Sequence, residues 1–124
     1  MKKWPGAVTF GWNSWGALQF KLTYQKALEV SDFFRDNLQN NHFVNPDGNV
    51  TIGLDSGWNS FKDEELKDFV DHCTANGQIA GVYWTPFTDW GRRPDRTIKD
   101  APDYKYKDVY LYANGQPQEL DGAY

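Results

Sequence analysis

The sequence predicts an α/β chain with the element order β-α-β-α-β, and three observations carry that reading. Two amphipathic helical stretches alternate with three short β-prone runs. Turn chemistry separates them, with Asn45-Pro46-Asp47-Gly48-Asn49 ahead of the second strand and Asn76-Gly77 ahead of the third. The third run, Ile79-Ala80-Gly81-Val82-Tyr83-Trp84, is nearly all apolar, the pattern of a parallel strand covered on both faces.

The first strand is Ala7-Val8-Thr9-Phe10-Gly11-Trp12, which feeds a loop holding Asn13, Ser14 and Gly16. Thr23 is the expected N-cap of a helix in which Tyr24, Ala27, Leu28, Ser31, Phe34 and Leu38 recur at three- and four-residue spacing, ending near Asn40. Val50-Thr51-Ile52-Gly53-Leu54 is the second strand. Ser60 is the expected cap of the next helix, whose apolar face is Leu66, Phe69, Val70 and Cys73. Past Pro86 the helical rhythm is lost, and residues 91–104, with Arg92, Arg93, Pro94 and Pro102, read as a long loop. Val109–Tyr112 and Pro117–Leu120 flank Ala113-Asn114-Gly115-Gln116, which predicts a C-terminal β-hairpin.

The expectation is therefore a single domain over residues 1–124, with βαβαβ over 7–90 and loop plus hairpin over 91–124. Such alternation implies a parallel sheet with right-handed crossovers, belonging either to a doubly wound sheet or to a barrel. Three strands complete neither, so the chain reads as a portion of a larger sheet. Its two open edges invite self-association.

Composition narrows the function. Acids and bases interleave, the net charge is -4, and no basic stripe exists, so nucleic acid is not an expected partner. No apolar run approaches the roughly 20 residues of a membrane helix, and Met1–Gly6 lead into no signal-peptide stretch. No membrane partner and no address are expected. Cys73 is the single cysteine, which excludes an intrachain disulfide and a cysteine-rich zinc site. Gly11, Gly16, Gly53 and Gly57 lack phosphate-loop spacing, and His42 and His72 read as structural, so neither a metal nor a cofactor is expected.

In α/β architectures ligands sit at the carboxyl ends of the strands. Three clusters fall there: Trp12-Asn13-Ser14-Trp15, Asp55-Ser56-Gly57-Trp58, and Tyr83-Trp84-Thr85-Pro86-Phe87 with Asp89 and Trp90. Each Trp alone could equally plug a core, but five at three strand ends point to a site. Aromatic rings mixed with a carboxylate suit a carbohydrate, whose apolar face stacks while its hydroxyls donate. Asp55 reads as a ligand contact or a loop cap. Lys62-Asp63-Glu64-Glu65 opens a helix, where acids complement the dipole. Asp89 and Asp121 read as loose carboxylates without partners.

Phe10-Gly11-Trp12-Asn13-Ser14-Trp15 resembles the first-strand motif of the retaining α-galactosidases and their melibiase-like relatives, glycoside hydrolase families 27 and 36. Ile52–Trp58 is similar to the second-strand pattern of that group, and Asn76–Tyr83 to its third. The resemblance covers roughly Thr9 to Trp90. It implies the opening third of a (β/α)8 TIM barrel and a carbohydrate partner of the α-galactoside kind. It also implies that Trp15 walls a galactose pocket, that Asp55 accepts from sugar hydroxyls, and that Tyr83 and Trp84 line the same pocket. Trp58 joins them as an aromatic of the second strand end. Where the group carries a second Asp, this chain has Ser56. In the group the nucleophile and acid/base are aspartates on the fourth and sixth strands, so the resemblance assigns no catalytic residue here. A non-catalytic carbohydrate-binding module, stacking sugars on Trp15, Trp58 and Trp84, is the alternative reading. Export is the usual habit of the group.

Overall fold

A computed structural model describes residues 10–85, 88–119 and 122–124. The chain forms two compact units, Met1–Trp84 and Thr85–Tyr124. It is a mixed helix-and-strand chain with a parallel three-stranded sheet in the first unit.

That sheet consists of β1 (Gly11–Asn13), β2 (Thr51–Leu54) and β3 (Ile79–Val82), in the spatial order β1-β2-β3. Trp12 pairs with Ile52, and Ile52 with Ala80. Residues Ala7 to Thr9 of the expected first strand lie outside the described residues. A four-residue helix α1 (Trp15–Leu18) follows β1, and α2 (Tyr24–Phe33) connects it to β2. Thr23 caps α2 as expected: its backbone is extended, and its hydroxyl accepts from Lys26 N at 3.3 Å.

Ala27, Ser31 and Phe34 recur at i, i+4, i+7 and are buried on one face. From Phe34 to Leu38 the helix widens into a π-turn, then tightens over Gln39–Asn41 and ends at His42 in the left-handed region. The widened turn places Gln39 so that its amide meets Asn76 O at 2.9 Å and Gln78 Nε2 at 2.7 Å.

The second crossover helix, α3 (Asp63–Ala75), does not start at Ser60. Ser60 sits in a 3-10 turn, Trp58–Ser60, and its hydroxyl donates to Gly57 O. Phe61 is buried and extended, so the chain turns into α3 only at Lys62, whose N–H is taken by the Glu65 carboxylate at 2.8 Å. The helix stops where expected. Gln78 N returns to Cys73 O and Gly77 N to Thr74 O, with Gly77 at φ 69, a conformation that favours glycine.

Ile52 and Leu54 of β2 are fully buried and share one cluster with Ala27 of α2, Phe34 of the π-turn that continues it, and Phe69 and Cys73 of α3. Both helices thus cover the same face of the sheet. Two expectations fail at its margin. Val70 is half exposed, because the α3 face that meets the sheet narrows to Phe69 and Cys73. Ile79 and Val82 are also half exposed: β3 is an edge strand, so its apolar run does not imply cover on both faces.

A polar joint ties the helices at the amino ends of the strands. The buried Ser31 hydroxyl donates to Gln78 Oε1 at 2.6 Å and accepts from Asn76 Nδ2 at 2.9 Å. Asp32 accepts from Arg35 and Asn76 and meets His72 Nε2 at 2.8 Å. Burial pushes the Asp32 carboxyl up, but Asn76, His72 and Arg35 outweigh it and hold the group below its ordinary range.

The second unit is strand-rich where a loop was expected. β4 (Thr97–Ile98) pairs antiparallel with β5 (Ala101–Lys105) across a reversal with Asp100 at φ 63. The unit has little apolar core, and Ala123 is its one fully buried apolar residue among those described, so no hydrophobic period announces these strands. The C-terminal hairpin is present but shorter than expected, β6 (Tyr112–Ala113) with β7 (Gln116–Pro117). Asn114 and Gly115 both have positive φ, 53 and 75, the two-residue turn that suits strand twist. Leu120 and Asp121 lie outside the described residues.

Candidate functional site

The parallel register sends the carboxyl ends of β1, β2 and β3 to one edge of the sheet, and side chains from all three strand ends interlock there. Asn13, the last residue of β1, does two things at once. Its Nδ2 donates to Asp55 Oδ2 at 2.9 Å, and its Oδ1 accepts from Trp15 N at 2.8 Å. Only this amide orientation gives a carboxylate a donor and an N–H an acceptor. The carboxamide therefore sets the start of the Trp15 helix and the Asp55 side chain relative to each other.

Ser14 is fully buried and completes the link. Its N–H donates to Gly53 O at 3.0 Å, extending the ladder past β1, and its Oγ accepts from Asp55 N at 2.8 Å. Asp55 is partly buried, with Oδ1 accepting from Ser56 N at 2.7 Å. It is thus loop cap and candidate contact together: each carboxylate oxygen has one partner in the chain and a lone pair left over.

Beyond Asp55 the chain turns back, Trp58 N bonding to Asp55 O at 3.3 Å. The Trp58 indole then donates to Tyr83 O at 2.8 Å, and its ring lies 6.0 Å from that of Trp84. Tyr83 N continues the sheet onto Leu54 O at 2.7 Å. Trp58 is largely structural. It packs on the core and walls an open apolar groove of about 280 Å³ with Leu66, Phe69, Val70, Ala80, Gly81 and Val82. That groove lacks the acceptors a sugar needs.

Trp84, by contrast, is 67% exposed, and Tyr83 and Trp15 are also exposed. The five residues singled out in the sequence, Trp15, Asp55, Trp58, Tyr83 and Trp84, are therefore linked through one chain of hydrogen bonds and ring contacts. Trp12 packs against the core instead. The sequence alone assigns no role to Asn13 and Ser14. A short polar pair directly after a strand, before a helix, is the signal for side chains that bond nearby backbone.

The remaining members of the third cluster part company. Pro86 and Phe87 lie outside the described residues, and Asp89 and Trp90 belong to the second unit. Asp89 is not a loose carboxylate. It is buried, and it accepts from the Tyr110 hydroxyl, from Gly91 N at 3.0 Å and from Arg93 N. Burial pushes its carboxyl up, yet Tyr110, the two N–H groups and the Arg93 guanidinium outweigh that and hold it below the ordinary range. The Trp90 indole donates to Thr85 Oγ1 at 2.7 Å. Among the described residues no group of acids, histidines and cysteine is arranged to hold a metal ion, and no helix is long and apolar enough to cross a membrane.

Compared with known proteins, the chain matches no family model, no curated protein and no solved structure.

Proposed function

We propose that this chain forms part of the sugar pocket of a retaining glycoside hydrolase acting on α-galactosides or related α-linked sugars. The observation that carries the reading is the Asn13 bridge between Trp15 and Asp55. It ties the backbone of an exposed tryptophan and a carboxylate with free acceptor capacity together at the carboxyl edge of a parallel sheet. Asp55 accepts hydrogen bonds from sugar hydroxyls, Trp15 and Trp84 stack on C–H faces, and Tyr83 borders the pocket. The sequential strand order β1-β2-β3, with α2 and α3 on one face, fits the opening of a (β/α)8 barrel as it fits one half of a doubly wound sheet, and the resemblance of the strand-end motifs favours the barrel.

Ser56 stands where the resembled group has a second Asp, and it offers a neutral hydroxyl that both donates and accepts. Retaining hydrolysis needs two carboxyl groups about 5 to 5.5 Å apart. No residue of this chain is assigned to that pair, so its part is binding and orientation.

Saturation-transfer NMR with galactose tests the reading. Transfer to the sugar that vanishes in Asp55→Ala supports it; no transfer to the intact chain, or transfer that survives the substitution, rejects it. Sugar binding by a longer protein without turnover of an aryl α-galactoside would instead favour a carbohydrate-binding module.

A further inference from the structure

We propose that Asn114 is a site of spontaneous deamidation, selected by the fold over a second copy of the same four residues. The sequence Ala-Asn-Gly-Gln occurs twice, at Ala75–Gln78 and at Ala113–Gln116. A glycine after the asparagine carries no side chain to shield its backbone nitrogen, so both copies start with the same chemical lability. The structure treats them differently. The inference is independent of the sugar-pocket reading.

At the first copy the reacting groups are held. Asn76 Nδ2 donates to Ser31 Oγ at 2.9 Å and to Asp32 at 3.1 Å, and its Oδ1 accepts from Arg35 at 2.9 Å. Gly77 N, the nucleophile the reaction needs, donates to Thr74 O at 3.0 Å. Bringing Gly77 N onto Asn76 Cγ breaks these hydrogen bonds and opens the joint between α2 and α3.

The second copy is the turn of the β6–β7 hairpin. Asn114 and Gly115 are exposed, and among the described residues neither the Asn114 amide nor Gly115 N has a hydrogen-bond partner. The ladder behind them holds two residue pairs, Ala113 with Gln116 and Tyr112 with Pro117, and Pro117 brings no N–H to it. Gln118 N fastens the base of the ribbon to Leu111 O at 2.7 Å. So short and exposed a ribbon opens at little cost. On opening, the positive φ angles of Asn114 and Gly115, 53 and 75, relax and let Gly115 N swing onto the side chain.

The chemistry needs only water and its hydroxide. Gly115 N loses its proton to hydroxide and attacks Asn114 Cγ. The new C–N bond closes a succinimide ring, the Cγ–Nδ2 bond breaks, and the nitrogen leaves as ammonia after taking a proton from water. Water then opens the ring at either carbonyl, giving aspartate or isoaspartate. Either product adds one negative charge to a chain whose net charge is -4. Isoaspartate also routes the backbone through the former side chain, which lengthens a turn whose two residues set the register of the hairpin.

The test incubates the full native chain at mildly alkaline pH and follows the amide-to-acid mass gain of each copy by peptide mapping, with isoaspartyl methyltransferase labelling to identify isoaspartate. Asn114 should convert at least about 10-fold faster than Asn76, since the joint between packed helices opens far more rarely than an exposed ribbon. In denaturant the two rates should converge, because the local sequences are the same. Ser31→Ala, which loosens the joint, should raise the Asn76 rate and leave that of Asn114 unchanged; Asn114→Gln should abolish the gain at the turn. Equal rates in the native chain, or an Asn114 amide that persists after the denatured control has converted, overturn the inference. Rates that stay unequal in denaturant also overturn it, since selection would then not come from the fold.

Discussion

Asn13 and Asp55, 42 residues apart in sequence, meet through a 2.9 Å amide-to-carboxylate hydrogen bond that joins the ends of two neighbouring strands. The same amide holds Trp15 N, so one short side chain sets both an acid and the start of the helix that carries Trp15. We expect Asn13→Ala to cost about 1 kcal/mol of stability, below the usual range for a bond to a charged group because the pair is solvent-accessible. Asn13→Asp should cost more, since it sets a second carboxylate against the first and removes the donor. Chemical denaturation of the two variants checks the order; equal midpoints would mean that the amide does not hold Asp55.

The sequence makes the helices and the strand order of the first unit legible because a buried face leaves a period. Ala27, Ser31 and Phe34 mark it in α2 and its π-turn extension, Phe69 and Cys73 in α3, and Ile52 and Leu54 in β2. The aromatic and acidic members of the candidate site were visible as residue types at strand ends. Their linkage was not, because it runs through Asn13, Ser14 and the Trp58 indole, and hydrogen bonds across 25 to 42 residues leave no local pattern. Strands β4 and β5 of the second unit are not legible, for the opposite reason. Ala101–Lys105 is exposed nearly throughout, and an exposed two-stranded ribbon needs no apolar alternation. Asn114-Gly115 stood out because turn angles alone select that pair.

Asp89 makes the second unit acid-sensitive. Its folded carboxyl lies below the ordinary range, so its contribution to stability is complete above the unfolded value of about 3.9 and is lost as pH falls through the folded value. Tyr110→Phe removes the leading favourable donor and lets burial push the carboxyl back up. The near-UV aromatic signal of the variant should therefore collapse at a higher pH than that of the wild type. Identical acid midpoints would show that the phenol does not stabilise the ionised acid.

Cys73 reports on the core. Burial pushes its thiol up to about 11, against the smaller opposing effect of Ser31. The thiolate is the reactive form, so a disulfide reagent at about pH 8 should modify the native chain slowly and the denatured chain at once. Rapid stoichiometric labelling of the native chain would mean that the α2–α3 contact opens on the timescale of mixing.

Ser31 separates stability from binding. It is fully buried at the amino ends of the strands, the edge opposite the candidate site, where its hydroxyl joins Gln78 and Asn76. Ser31→Ala leaves Gln78 Oε1 without that donor in a place water reaches poorly, because Gln78 is itself buried. We expect a loss of about 1 to 3 kcal/mol, or roughly 4 to 8 °C in unfolding midpoint for each kcal/mol in a unit of this size. Galactose affinity, measured below the lowered midpoint, should not change, because the loss falls on the joint between the helices. A parallel fall in sugar affinity would show that the two edges of the sheet are coupled and would move Ser31 from the scaffold to the site.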